Sequence, residues 1–308
     1  MIWKYWSLTA RLVLVALLLT LTPSLVSAQP APAPAPVDPA KELNAAADAA
    51  LASMRVGPAE VRLRDQAVLR LPAGYAYIAP GESQRLLRAM GNRPGSDLEG
   101  MVIDAARPFG GWFVVIRHVP SGYVKDDDAK DWNADDLLSS LREGTEEANK
   151  DRRSRGFPEI EVVGWVERPA YDSRTHRLVW SAETREKSTT SAERGVNYNT
   201  YALGREGYFS LNLVTDLALV AGLKPRAGEL LAALAYHEGK RYEDFNASTD
   251  RVAEFGLATL VAGAAAKKLG LFALIGVFLA KFWKIAAIAA VAIGAGALKL
   301  FRRKPQAG

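Results

Sequence analysis

Apolar positions change period several times along this chain, and each change marks a boundary. Leu12 to Leu21 is one continuous apolar run, and Gln29 to Pro39 alternates Pro with Ala. Leu43, Ala47, Leu51 and Met54 then recur at helical spacing. They predict an amphipathic helix that ends at Gly57-Pro58, with Asp38 as its cap and Pro39 in its first turn. From Glu60 the period drops to two. Val61 and Leu63, then Val68, Leu69 and Leu71, then Tyr75, Tyr77 and Ile78 predict short strands broken at Arg64-Asp65 and Pro72-Ala73-Gly74.

Pro80 to Met90 predicts a short helix closed by Gly91, and the nearly unbroken apolar run Trp112 to Val119 predicts a central strand. Asn133 caps a charged helix reaching about Arg155, with Asp135 and Asp136 at its positive end. Its apolar stripe is thin (Leu137, Leu138, Leu141), which places it on the surface. Glu161 to Glu167, His176 to Arg185 and Val196 to Leu203 read as strands. Tyr208 to Val214 is another, with Phe209, Leu211 and Leu213 inward and Ser210 and Asn212 outward. Gly204 to Gly207 is a hairpin connection, and Pro225 to Tyr236 a closing helix with Leu230, Leu231 and Leu234 on one face. Consecutive strands with short turns pair antiparallel. Residues 40–250 are therefore expected to form an α+β domain, a largely antiparallel sheet flanked by helices.

Past Asp250 the pattern becomes almost wholly apolar: Phe255 to Ala266, Leu269 to Ala280 and Ile285 to Leu298, separated by Lys267-Lys268 and Lys281-Phe282-Trp283-Lys284. Residues 251–304 are expected to anchor the chain in a lipid bilayer. The best-delimited transmembrane span is Ile285 to Phe301, between Trp283-Lys284 and the cluster Arg302-Arg303-Lys304. Ala286, Ala290 and Gly294 make a small-residue face suited to packing against a second copy. Residues 1–28 have the parts of a secretory signal: Lys4 and Arg11, the short apolar run, and Val26-Ser27-Ala28 as cleavage site. The Pro/Ala tract 29–39 is a polyproline II spacer. Export of residue 29 and a basic C-terminal end in the cytoplasm both follow from a single crossing of the cytoplasmic (inner) membrane. A two-span hairpin is the alternative, at the cost of placing Lys267 and Lys268 near mid-bilayer.

The charge balance agrees with this division. The chain of 308 residues is +5 overall, yet residues 251–308 hold nine Lys and Arg against Glu254 alone. Lys4 and Arg11 supply +2, which leaves residues 29–250 at −5. A phosphate-binding footprint needs a basic folded surface, so a nucleic-acid partner is not expected. There is no cysteine, which excludes disulfides, thiolate metal sites and a Cys nucleophile. The histidines His118, His176 and His237 are scattered, and no nucleophile elbow, phosphate loop or dinucleotide fingerprint occurs. No catalytic residue, metal or cofactor is assigned. The densest acidic cluster, Asp126, Asp127, Asp128, Asp131, Asp135 and Asp136, fails as a calcium loop begun at Asp131, because Asp136 stands where Gly is needed and Arg142 where Glu is needed.

Two sets of residues resemble a known family. One is Ser121-Gly122-Tyr123-Val124-Lys125-Asp126-Asp127-Asp128-Ala129, with Trp132 to Leu137 and Asn197-Tyr198-Asn199-Thr200. The other is Glu238-Gly239-Lys240-Arg241-Tyr242-Glu243-Asp244-Phe245, with Lys281 to Lys284. Together they resemble the bacterial domain of unknown function 2167 family over about Gly57 to Lys304. The resemblance implies a signal peptide, an extracytoplasmic domain and a C-terminal membrane anchor, and brings no catalytic residues. The expectation is a non-enzymatic interaction or envelope-maintenance protein that meets another envelope protein. Its contact surface would be the loop carrying Tyr123, Lys125, Asp126, Asp127, Asp128 and Trp132. The alternative is a membrane-tethered metal-dependent hydrolase using the Asp126 to Asp131 cluster.

Overall fold

The computed structural model describes residues 39–130, 132–187 and 194–262. The expected leader, the Pro/Ala tract up to 38, Asp131 and the apolar segment from 263 onward lie outside the described residues. α1 (Pro39–Ser53) opens the domain. The first helix stops at Ser53, short of the expected Gly57-Pro58, and β1 (Arg55–Val56) takes its place; the period-two stretches become β2 (Ala59–Leu63), β3 (Ala67–Leu71) and β4 (Tyr75–Ile78), followed by α2 (Pro80–Ala89). Gly91 closes α2 with φ +82°, a left-handed conformation that glycine adopts without steric cost. β5 (Leu98–Asp104) and β6 (Trp112–Val119) precede α3 (Ala134–Ser154). β7 (Ile160–Asp172), β8 (Arg177–Glu186), β9 (Gly195–Leu203) and β10 (Tyr208–Asp216) lead to α4 (Leu217–Ala233), β11 (Leu234–Tyr236) and α5 (Ala258–Ala262).

The larger sheet has eight strands in the order β1-β4-β5-β6-β10-β9-β8-β7, every pair antiparallel. A smaller sheet runs β11-β3-β2. β6 lies mid-sheet because both of its faces are apolar. Trp112, Val114 and Ile116 join Tyr75, Tyr77, Phe209, Leu211 and Leu213 in a core covered by the small sheet and α4. On the opposite face Ala76, Ile78, Met101, Ile103 and Val115 pack under α1 and α2. Leu178, Trp180, Ala182, Tyr201 and Leu203 pack under α3 and α5. The architecture is α+β, a large antiparallel sheet flanked by helices.

Later elements depart from the expectation too, and β7 runs on to Asp172, past the expected end at Glu167. β5 is an additional strand, buried at every position. Its sequence conceals it because Glu99 and Gly100 interrupt the apolar run, and Gly100 (φ +130°) sits at a bulge between Leu98 and the rest of the ladder. The closing helix starts at Leu217, so Pro225 is interior to α4, and Leu234 belongs to β11. The missing Pro225 amide removes one helical hydrogen bond. Burial of Val220, Ala227, Leu230 and Leu231 under one helix offsets that loss. The domain also runs past Asp250. Leu257, Leu260, Val261 and Ala262, expected to begin the membrane region, are buried against the sheet and α3. Among the described residues no helix is long and apolar enough to cross a membrane.

α3 does more than shield an apolar stripe. It covers β7, the terminal strand of the large sheet. The Asn149 side chain, fully buried, accepts from the Ile160 amide at 2.9 Å and donates to the Ile160 carbonyl at 2.7 Å. Arg142 donates to the carbonyls of Val162 and Val163. Side chains thus satisfy an edge that would otherwise present open strand groups to another chain.

Candidate functional site

The loop that carries the expected contact residues folds inward. Val124 is fully buried, and Tyr123, Asp126, Asp128 and Trp132 are half-buried, while Lys125 and Asp127 are exposed. What the loop meets is the chain's own segment 251–262. Tyr123 donates its amide to the Arg251 carbonyl and accepts from the Ala253 amide, both at 2.8 Å. Gly122 permits that approach: its φ is +86°, and a Cβ there would stand 2.5 Å from the Arg251 carbonyl oxygen. Both oxygens of Asp128 are engaged, Oδ1 by the Leu257 amide and Oδ2 by the Ala258 amide, each at 3.0 Å. Asp128 therefore caps α5 from across the fold. Gly256 leaves room for it, since a Cβ would lie 2.5 Å from Oδ2. Further along α5, Tyr201 donates to the Leu260 carbonyl at 3.0 Å.

The second family-like segment completes the assembly. Residues Tyr242–Asp244 form one 3₁₀ turn, with the Asp244 carboxylate accepting from the Arg241 amide. This turn and Phe245 supply two rings to a column. Phe245 stacks on Tyr123 (3.9 Å), Tyr123 on Tyr242 (4.4 Å), and Tyr242 lies against the His176 ring (4.0 Å). Tyr242 also donates to the buried Val124 carbonyl at 2.9 Å. Arg205 holds the following loop through a bidentate pair with Asp250, which keeps that carboxyl well below the usual carboxylate range.

At the edge of the column Tyr171 donates to Asp126 Oδ2 at 2.8 Å and lies 3.1 Å from His176 Nδ1. The single hydroxyl proton goes to Asp126, so the bond to His176 uses the Nδ1 proton as donor. Burial, then the adjacent carboxylate, pushes the Tyr171 phenol upward; burial, then Tyr123, does the same to Tyr242. Both phenols stay neutral near pH 7, suited to hydrogen bonding rather than to attack. His176 reaches the column from a left-handed backbone (φ +52°) in the β7–β8 turn.

Four of the six expected residues therefore belong to one intramolecular clasp: Tyr123, Asp126, Asp128 and Trp132. Lys125 and Asp127 face outward. Sequence reasoning missed Tyr171, His176 and Phe245, which come from separate elements. The only sign that Tyr242 and Phe245 belong with Tyr123 is that both segments carry the family resemblance. A metal reading of the acidic loop finds no support in the geometry. Asp128 is committed to two amides, and among the described residues no group of three or more His, Asp or Glu is placed to hold a metal ion.

A family model described as "Protein of unknown function (DUF2167)" matches residues 55–293. The chain belongs to the DUF2167 family. Both segments of the clasp fall inside the match, so the clasp is part of the DUF2167 domain. No curated protein matches this DUF2167 chain. Among solved structures it is similar to cyanobacterial PsbP (CyanoP) from Synechocystis, 12% identical over 60% of this chain and 92% of that one, with TM-score 0.35. It is also similar to a mutant of the protein Mog1, 10% identical over 57% and 94%, with TM-score 0.27. Likenesses at this level say nothing about activity.

Proposed function

We propose that this DUF2167 protein is a membrane-anchored extracytoplasmic binding module rather than an enzyme. In this reading residues 1–28 are removed on export and 29–39 form a spacer. The domain faces the periplasm or cell exterior, and residues from 263, above all 285–301, hold it in the cytoplasmic membrane. The observation that carries the reading is the clasp. The chain leaves the described domain at Ala262, immediately after a segment fastened by Tyr123, Asp128 and Tyr201, and the sequence that follows is the most apolar in the molecule. A tether fixed in this way holds a domain at a set orientation above a bilayer, which suits docking onto another envelope protein. The Ala286, Ala290 and Gly294 face would pair two copies within the bilayer.

The test is a pair of reporter fusions after Gly308, one active only in the cytoplasm and one only outside it. Activity of the cytoplasmic reporter in the membrane fraction is expected. Activity of the outside reporter alone would replace the single crossing with the hairpin topology.

A further inference from the structure

A second part of the molecule has the chemistry of a ligand site. Between α4 and the turn that follows β5 lies a cleft of about 470 Å³, open to solvent on one side. Arg226 forms one wall. Its guanidinium lies 5.5 Å from the ring centroids of both Tyr75 and Trp112, so its position is set by packing. Asp104, 6% exposed, lies 3.7 Å from it, and the Ala106 and Arg107 amides occupy the other Asp104 oxygen. The guanidinium also meets the Tyr75 hydroxyl, so Asp104 and Tyr75 hold Arg226 in place at the edge of the cleft. Arg107 lines the same cleft, and among the described residues its guanidinium has no partner. The turn presenting it holds Phe109 at φ +55°, a conformation rare for a bulky residue. Opposite charge comes from Glu229, one turn along α4 from Arg226. One of its oxygens accepts from the Tyr75 hydroxyl, and no cation pairs with it among the described residues.

The cleft therefore offers two guanidinium groups for an anion and, in Glu229, a carboxylate that meets only the Tyr75 hydroxyl among the described residues, for a cation. We propose that it binds a small zwitterion, a free α-amino acid or short peptide, with the ligand carboxylate on Arg226 and Arg107 and its ammonium on Glu229. The proposal stands whether or not the chain is membrane-anchored.

The test is isothermal titration of the full-length protein in detergent with a panel of L-amino acids and dialanine. Acetate and ethylammonium serve as single-charge controls. At least one zwitterion is expected to bind at least about tenfold tighter than either control. Glu229→Gln, on an exposed helix position, and Arg107→Ala are each expected to weaken that binding about tenfold or more without shifting the melting temperature of the free protein. Arg226→Lys should weaken it as well, with circular dichroism confirming the fold. No binding across the panel would overturn the proposal. So would acetate binding as tightly as the best zwitterion, which would mark a simple anion site, or binding unchanged in Glu229→Gln.

Discussion

Two residues illustrate what single side chains do in this molecule. His118 lies one residue before the end of β6 at 3% exposure, opposite Phe209, with ring centroids 4.7 Å apart and neither ring nitrogen partnered among the described residues. Burial, reinforced by the Arg64 charge, lowers its pKa from 6.5 to about 4. The unfolded chain then binds a proton between those values that the folded chain refuses. The stabilising contribution is complete above about pH 6.5 and is lost as pH falls towards 4, up to about 3 kcal/mol. Urea unfolding at pH 7.5 and pH 5 should show a lower midpoint at pH 5, and His118→Phe should flatten that difference. An equal difference in the variant would assign the pH dependence to other groups. Asp128 acts by capping. Asp128→Ala should cost about 1 kcal/mol and speed tryptic cleavage after the exposed Arg251, while Asp128→Asn, which keeps an acceptor, should do less. Unchanged cleavage would show that the clasp is held by its aromatic stack instead.

At the scale of elements, local pattern was informative wherever one period governed a stretch. β10 follows its alternation, with Phe209, Leu211 and Leu213 buried and Ser210 and Asn212 between them less so, and Asn133 caps α3 through the Asp135 amide at 2.8 Å, as its position before two acids implies. Pattern failed where tertiary packing outweighed local preference. α4 continues through Pro225 because its buried face spans both sides of the proline, and β5 tolerates Glu99 because Arg64 reaches it from the β2–β3 turn. The role of Asn149 was also illegible, since an Asn in a charged helix gives no hint that it completes a strand edge. Asn149→Ala leaves the Ile160 amide and carbonyl without their partner. It should cost about 1–3 kcal/mol in urea unfolding and promote association through β7. Wild-type stability with no added association would mean that the edge is protected by Arg142 and the α3 backbone alone.

For the whole molecule, the class and the two-faced sheet were readable from the sequence, but the site was not. The Tyr123 to Trp132 loop has the composition of an exposed contact surface, yet its aromatics and carboxylates close on residues up to 130 positions away. Sequence spacing cannot encode such a meeting unless the partner segment is itself recognised. The central claim is that this clasped domain stands outside the cytoplasmic membrane on a C-terminal stem. Protease added to spheroplasts expressing the protein with an epitope after Gly308 tests it directly. The account predicts loss of the domain and survival of a short epitope-bearing fragment that resists alkaline extraction from the membrane. A full-length chain untouched by the protease, or recovered in the soluble fraction, would contradict it.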